Sequence, residues 1–236
     1  MKREFSQIDI DKKLKDIYNE AISPKEVISI DLDTNDEICL FKLGVLFSQG
    51  KSLHIKNVQD VINKIHDEQR LGKFKTYYMS SLYWATHKKK FLLKSSPNRK
   101  QAFIICPVAN ASQNQKNRID DVILDFANKG YKVYYPARDT NQSPFENEIY
   151  TGGYNINCKN AIAISNSQII LIFYDRQSRG LFFDLGVLYS HMMNNSSINV
   201  TVINNEDINP LQYSDKILLS IISKNKKLWD SGDGKR

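Results

Sequence analysis

Asp184 occupies the setting in this chain that best suits chemistry. It lies in Gly180-Leu-Phe-Phe-Asp184-Leu-Gly186, shortly after the apolar run Ile169–Phe173 and a polar stretch holding Tyr174, Asp175 and Ser178. A carboxylate placed just beyond a buried strand, in the first turn of the next helix, is favoured as an anion by the helix dipole and can act as nucleophile or base. The same placement also suits a solvated acid with no chemical role. In a parallel α/β sheet, ligands lie outside the carboxyl ends of the strands. By that rule the other candidates are Cys106, Pro107 and Asn110 after one strand, and Arg138, Asp139, Asn141 and Gln142 after another.

These positions depend on elements that hydropathy marks out. Ala102–Val108 is an apolar run ending near Pro107, the pattern of a strand buried on both faces. Ile119, Val122, Ile123 and Phe126 recur at helical spacing over 118–128, Gly130 closes that helix, and Tyr131–Pro136 reads as the second strand of a β-α-β unit. A Gly- and Asn-rich stretch at 151–155 reads as a loop. It is followed by a short helix over 158–166, a strand over 169–173, a helix over 182–193, a strand over 198–203 and a last helix over 217–228. Strands alternating with helices predict a Rossmann-like or flavodoxin-like parallel sheet with helices on both faces.

Sliding the chain over itself by 142 residues aligns 27–48 with 169–190 without a gap, and nine of the 22 positions are identical. Asp33/Asp175 and Gly44/Gly186 match as well as the apolar positions, and Phe-X-Leu-Gly-Val-Leu-X-Ser occurs twice. A preceding helix over 10–21 and a following strand over 52–55 also have counterparts, so 1–56 reads as a degenerate half-repeat of the same fold. Lys42 stands where the second copy has Asp184.

Residues 57–100 form a third region. They carry ten Lys/Arg against three acids, which accounts for the whole net charge of +7. A capped helix is expected over 57–70, and beyond it lysines alternate with Phe74, Tyr77, Tyr78, Tyr83, Trp84 and Phe91. Stacking aromatics among cations can hold single-stranded nucleic acid. A helical linker with its aromatics packed and its lysines in water is the favoured expectation, because no nucleic-acid-binding signature accompanies the segment. The remainder, 101–236, is the expected main domain.

With 41% hydrophobic residues the chain can bury a full core, and no apolar run is long enough to cross a membrane. The opening Met-Lys-Arg-Glu-Phe-Ser lacks the apolar stretch of a signal peptide, so a cytoplasmic protein is expected. Cys39, Cys106 and Cys158 are odd in number with no CxxC pair, so neither a disulfide framework nor a metal site is expected.

Three stretches together resemble the nucleoside 2-deoxyribosyltransferase family over about residues 101–205: Gly180–Ser190, Phe103-Ile-Ile-Cys-Pro-Val108, and Tyr135-Pro-Ala-Arg-Asp-Thr-Asn-Gln142. The resemblance implies cleavage or transfer at the N-glycosidic bond of a nucleoside or nucleotide, with no cofactor. Asp184 would attack C1′ and form a covalent glycosyl-enzyme, as in two-step retaining glycosidases. Asn160 falls where the family has an acid that holds or protonates the base. Cys106 and Pro107 would belong to a glycosyl-binding loop, Asp139 or Gln142 would meet the base edge, and Asp175 or Ser178, near Gly180, would face the sugar. Family members complete the pocket from a neighbouring subunit, so the resemblance implies either a homo-oligomer or a neighbour supplied by the N-terminal half copy. Two departures stand out: the usual nucleophile is Glu, one methylene longer than Asp, and Asn160 has no proton to give. They leave open a non-catalytic nucleotide-binding module that uses the Arg138-Asp139 loop, and, further off, an NAD-cleaving domain of the TIR type.

Overall fold

A computed structural model describes residues 5–23, 27–30, 36–49, 52–55, 100–108, 111–140, 151–194 and 198–230. The basic segment over 57–99 lies outside the described residues, as do Asn110, Asn141, Gln142 and the expected helix over 57–70. The elements in order are α1 (Gln7–Ala21), β1 (Val27–Ile30), α2 (Asp36–Ser48), β2 (Ser52–Ile55), β3 (Gln101–Ile105), α3 (Gln113–Asn128), β4 (Lys132–Tyr134), α4 (Pro136–Asp139), α5 (Thr151–Asn166), β5 (Ile169–Ile172), α6 (Arg179–Asn194), β6 (Asn199–Val202), a 3-10 turn (Asn205–Asp207) and α7 (Tyr213–Asp230).

The main sheet has the order β4-β3-β5-β6, and every neighbouring pair is parallel. Alternation along its strands feeds two cores. Ala102, Ile104, Cys106, Leu171 and Phe173 face α3 through Ile119, whereas Phe103, Ile105, Ile170 and Ile172 join the larger core built with α5, α6 and α7. Both faces are therefore covered, which is why the strands read as unbroken apolar runs. Capping boxes start two of the helices, Ser6 with Asp9 on α1 and Ser112 with Gln115 on α3. Gly130, at φ 82°, takes the left-handed conformation that stops α3.

Some boundaries differ from expectation. The Gly- and Asn-rich stretch at 151–155 is not a loop but the opening of α5, so Gly152 and Gly153 are carried inside a helix. The strand expected over 131–136 ends at Tyr134, because Pro136 begins the short α4, where its missing N–H costs nothing. α6 begins at Arg179, three residues early, so Asp184 stands beyond its first turn, which contains no acid.

The N-terminal elements form a separate parallel pair, β1-β2, with Val27 opposite Ser52. β1 and β5 coincide residue for residue at the 142-residue offset, and each pairs in parallel with the strand after the next helix. Among the described residues, α2 and α6 make the most extensive contact of any two elements. Their axes meet at two glycines: a Cβ on Gly44 would overlap the carbonyl oxygen of Phe183, and one on Gly186 would overlap that of Phe41. The flanking rings repeat the reciprocity. Phe41 meets Tyr189 edge-on at 5.4 Å and 63°, and Phe47 meets Phe183 at the same 5.4 Å and 63°. Arg179 of α6 donates to Glu37 of α2 at 2.7 Å, an ion pair between positions that are also 142 apart. Elsewhere, Gln7 of α1 donates to Ser220 of α7 at 2.8 Å, and Lys216 reaches the Phe5 carbonyl at 2.6 Å.

Adding a methyl group at either glycine forces the two backbones apart. Gly44→Ala and Gly186→Ala should each destabilise the fold by about 1–3 kcal/mol or more in urea denaturation. The double variant should cost less than the sum, because the first separation makes room for the second methyl. Wild-type stability in both single variants would show that the helices do not meet there.

Candidate functional site

At the carboxyl edge of β3 and β4 three groups come together. Asp184, half-buried on α6, acts electrostatically on the Cys106 thiol just beyond β3 and on the Tyr134 phenol at the end of β4. No hydrogen bond or ion pair reaches the Asp184 carboxylate from any described residue. Loss of hydration with no compensating donor pushes its carboxyl up to about 7. Burial, and secondarily Asp184, pushes the Cys106 thiol up to about 12, so this cysteine is a neutral wall of the site and no thiolate nucleophile. Pro107 is buried beside it.

Tyr134 is held on two sides. Its ring stacks on Phe103 at 5.4 Å and 16°, and its hydroxyl meets Thr140 Oγ1 at 2.6 Å. Thr140 gives its one hydroxyl proton to Asn160 Oδ1 at 3.2 Å, so Tyr134 must be the donor to Thr140. Asn160 and Thr140 are both buried. Asn160 thus anchors a chain of hydrogen bonds running from α5 to the tyrosine, and burial pushes the Tyr134 phenol up against the opposing effect of the Thr140 hydrogen bond. Neither Tyr134 nor Thr140 was singled out by the sequence: Tyr134 reads as one more strand aromatic, and Thr140 as a loop hydroxyl. Their position on either side of Tyr135–Asp139 is the available signal.

Arg138 and Asp139 are turned to each other. Arg138 Nε and Nη2 donate to the two oxygens of Asp139 at 2.9 and 2.7 Å, and the Tyr135 N–H adds a third bond at 2.7 Å. Burial alone would raise the Asp139 carboxyl, but the paired Arg138 and the Tyr135 amide outweigh it and hold the group below its ordinary value. Asp139 is therefore a spent acceptor at the rim.

Asp175, Ser178 and Gly180 are brought to the other side of the edge. Asp175 Oδ1 accepts from the Gln177 N–H at 2.8 Å, its carbonyl accepts from the Ser178 N–H at 3.0 Å, and Gly180 lies in the first turn of α6. Asp175 lines a cleft of about 290 Å³ together with Gln115, Tyr174, Arg176 and Asp207. Across the α2–α6 seam, Lys42 is paired with Glu20 at 2.8 Å. Among the described residues no group of His, Cys, Asp and Glu could hold a metal ion, and no helix is long and apolar enough to cross a membrane. No protein-family model, curated protein or solved structure matches the chain.

The Asp184 environment has a measurable signature. Its folded value of about 7 lies above the ordinary 3.8, so the folded state holds the proton more tightly, and the cost of burying the anion is absent below about pH 4 and complete above pH 7. Asp184→Asn, which carries no charge, should raise the melting temperature above that of wild type at pH 8, with the gap closing as pH falls towards 4. A gap of equal size at both pH values would mean that the carboxylate is not desolvated.

Proposed function

We propose that the chain cleaves or transfers at the N-glycosidic bond of a nucleoside or nucleotide, with Asp184 as nucleophile. The observation that carries this reading is a desolvated, unpartnered carboxylate at the carboxyl edge of a parallel α/β sheet, where ligands of such sheets bind. A carboxylate used only for structure is normally supplied with donors, because burying it unpaired costs stability. Asp215 in this same chain has them, and Asp184 receives none from the described residues.

The steps follow the resemblance noted in the sequence. The ionised Asp184 carboxylate attacks C1′ as the C1′–N bond breaks, and the departing base takes up a proton from solvent water. Water or an acceptor base then opens the glycosyl ester at C1′ from the face the first base left, so configuration is retained. Burial strips water from the carboxylate and raises its reactivity, although at pH 7 only about half of it is ionised. Asn160 cannot supply the proton. In this reading it sets the Tyr134 hydroxyl through Thr140.

On the same reading the N-terminal elements are a degenerate half copy that fills the place of a neighbouring subunit. The coincident β1 and β5 and the reciprocal packing around Gly44 and Gly186 support this. Lys42, neutralised by Glu20, leaves that half without a nucleophile.

Incubation with a panel of ribo- and deoxyribonucleosides and their monophosphates should release free base, seen by chromatography. Asp184→Asn should lower release by at least about a hundredfold, and the wild-type rate should rise with pH through about 7 as the carboxylate ionises. Absence of release from every member of the panel rules the reading out. If ligand-dependent thermal stabilisation persists in that case, the chain is a binding module.

A further inference from the structure

The 290 Å³ cleft beside β5 is built around a guanidinium that a buried acid holds still. Asp215 is fully buried on α7, and Arg176 Nη2 donates to its Oδ2 at 2.9 Å and to the Asp207 carbonyl at 3.1 Å. Tyr174 Oη, the Asn209 N–H and Ser214 Oγ complete the shell of Asp215 at 2.6, 2.6 and 3.3 Å. Asn204, also buried, clamps the Tyr174 backbone from both sides, accepting from its N–H and donating to its carbonyl, each at 2.7 Å. An ion pair that buries only its acid is a poor way to add stability, because desolvating the carboxylate offsets much of its attraction to a guanidinium that stays partly exposed. Its clear effect is to fix the direction of Arg176 at the mouth of the cleft.

The free valences of the lining define what fits there. One Nη of Arg176 is committed, which leaves Nε and Nη1 without a partner among the described residues. Gln115 spends its carbonyl oxygen on the Ser112 N–H at 2.8 Å and keeps its amide donors. Asp175 Oδ1 and Asp207 Oδ2 are engaged by the Gln177 N–H and Asn204 Nδ2, and the second oxygen of each has no described partner. Two carboxylates against one guanidinium leave the lining net negative, which repels a phosphate. Donors and acceptors set side by side match adjacent hydroxyls, since each hydroxyl both gives and takes a hydrogen bond. The volume is near the bottom of the usual range for ligand pockets, roughly 300–1,000 Å³, and suits one sugar ring.

Placement agrees with the chemistry. β3 leads through α3 to β4 on one side of the sheet, and β5 leads through α6 to β6 on the other, so the strand order reverses between β3 and β5. The cleft joins the first turn of α3 to the residues just after β5, at that switch point, where open α/β sheets bind their ligands.

We infer that the Asp175–Arg176–Asp207–Gln115 cleft binds the vicinal 2′,3′-diol of a ribose, so that the sugar taken by this chain is ribose in preference to 2′-deoxyribose. The inference rests on the proposed reading only for the ligand being a nucleoside. The test uses the full chain carrying Asp184→Asn, which blocks turnover on that reading, titrated by calorimetry with the four ribonucleosides and their 2′-deoxy counterparts. At least one ribonucleoside should bind about tenfold or more tightly than its 2′-deoxy counterpart, as expected for a lost hydrogen bond to a charged group. That preference should vanish in Asp207→Ala and shrink in Gln115→Ala, both at positions that retain solvent access. Equal affinity for ribo and deoxy forms, binding to none of the panel, or a preference untouched by both variants overturns the inference. Base release by wild type on the same panel reports the reaction separately, so selective binding without release removes the proposed reaction and keeps the diol site.

Discussion

The approach of α2 to α6 at Gly44 and Gly186 governs where the candidate site sits. With hydrogen in place of a side chain, each helix lays its glycine against the other's backbone carbonyl, and two edge-on ring pairs of equal geometry brace the crossing. Interiors packed this closely transmit displacement instead of absorbing it. Asp184 precedes Gly186 by two residues on the same helix, so its height above β3 and β4 follows from that crossing. Lys42 has the matching place on α2, where it is drawn to Glu20. One scaffold thus presents two matching positions, a carboxylate with no partner among the described residues and a cation with one.

Two carboxylates near the sheet edge show how environment separates roles. Asp215 is fully buried yet receives four donors, including a guanidinium, and its charge is fully compensated. Asp184 is half-buried and receives none from the described residues, so its carboxyl rises to about 7. The first arrangement orients Arg176 and ties α7 to the end of β5. The second stores the cost of desolvation in a group that can release it by bonding or by taking a proton. Between them, Cys106 and Tyr134 stay neutral, the thiol pushed up to about 12 and the phenol raised as well, both chiefly by burial. Of these three groups, only the carboxylate ionises near neutral pH.

Much of the main sheet was legible because its causes are local. Unbroken apolar runs mark strands covered on both faces, and three- and four-residue spacing marks α3 from Ile119 to Phe126. Where local signals compete, tertiary context prevailed. Gly152, Gly153 and Asn155 signal a loop, yet they open α5, whose later turns are buried against α6. α6 starts three residues before its apolar periodicity does, because Arg179 and Gly180 have none of their own and Arg179 is held instead by Glu37, far away in the chain. That shift takes Asp184 out of the first turn, so burial and not the helix dipole dominates its protonation.

By itself the sequence determined the strand and helix order, the doubled Phe-X-Leu-Gly-Val-Leu-X-Ser and the choice of Asp184 over Lys42 as the carboxylate at issue, since all of these rest on residue type and short-range spacing. Only the tertiary structure decided which polar groups are spent and which are free. Arg138 and Asp139 satisfy each other, Asn160 reaches Tyr134 through Thr140, and Arg176 is fixed by Asp215, 39 residues on. Partnership and burial join groups that the chain brings together by folding, and hydrogen bonding and dielectric depend on that proximity, which no local pattern encodes.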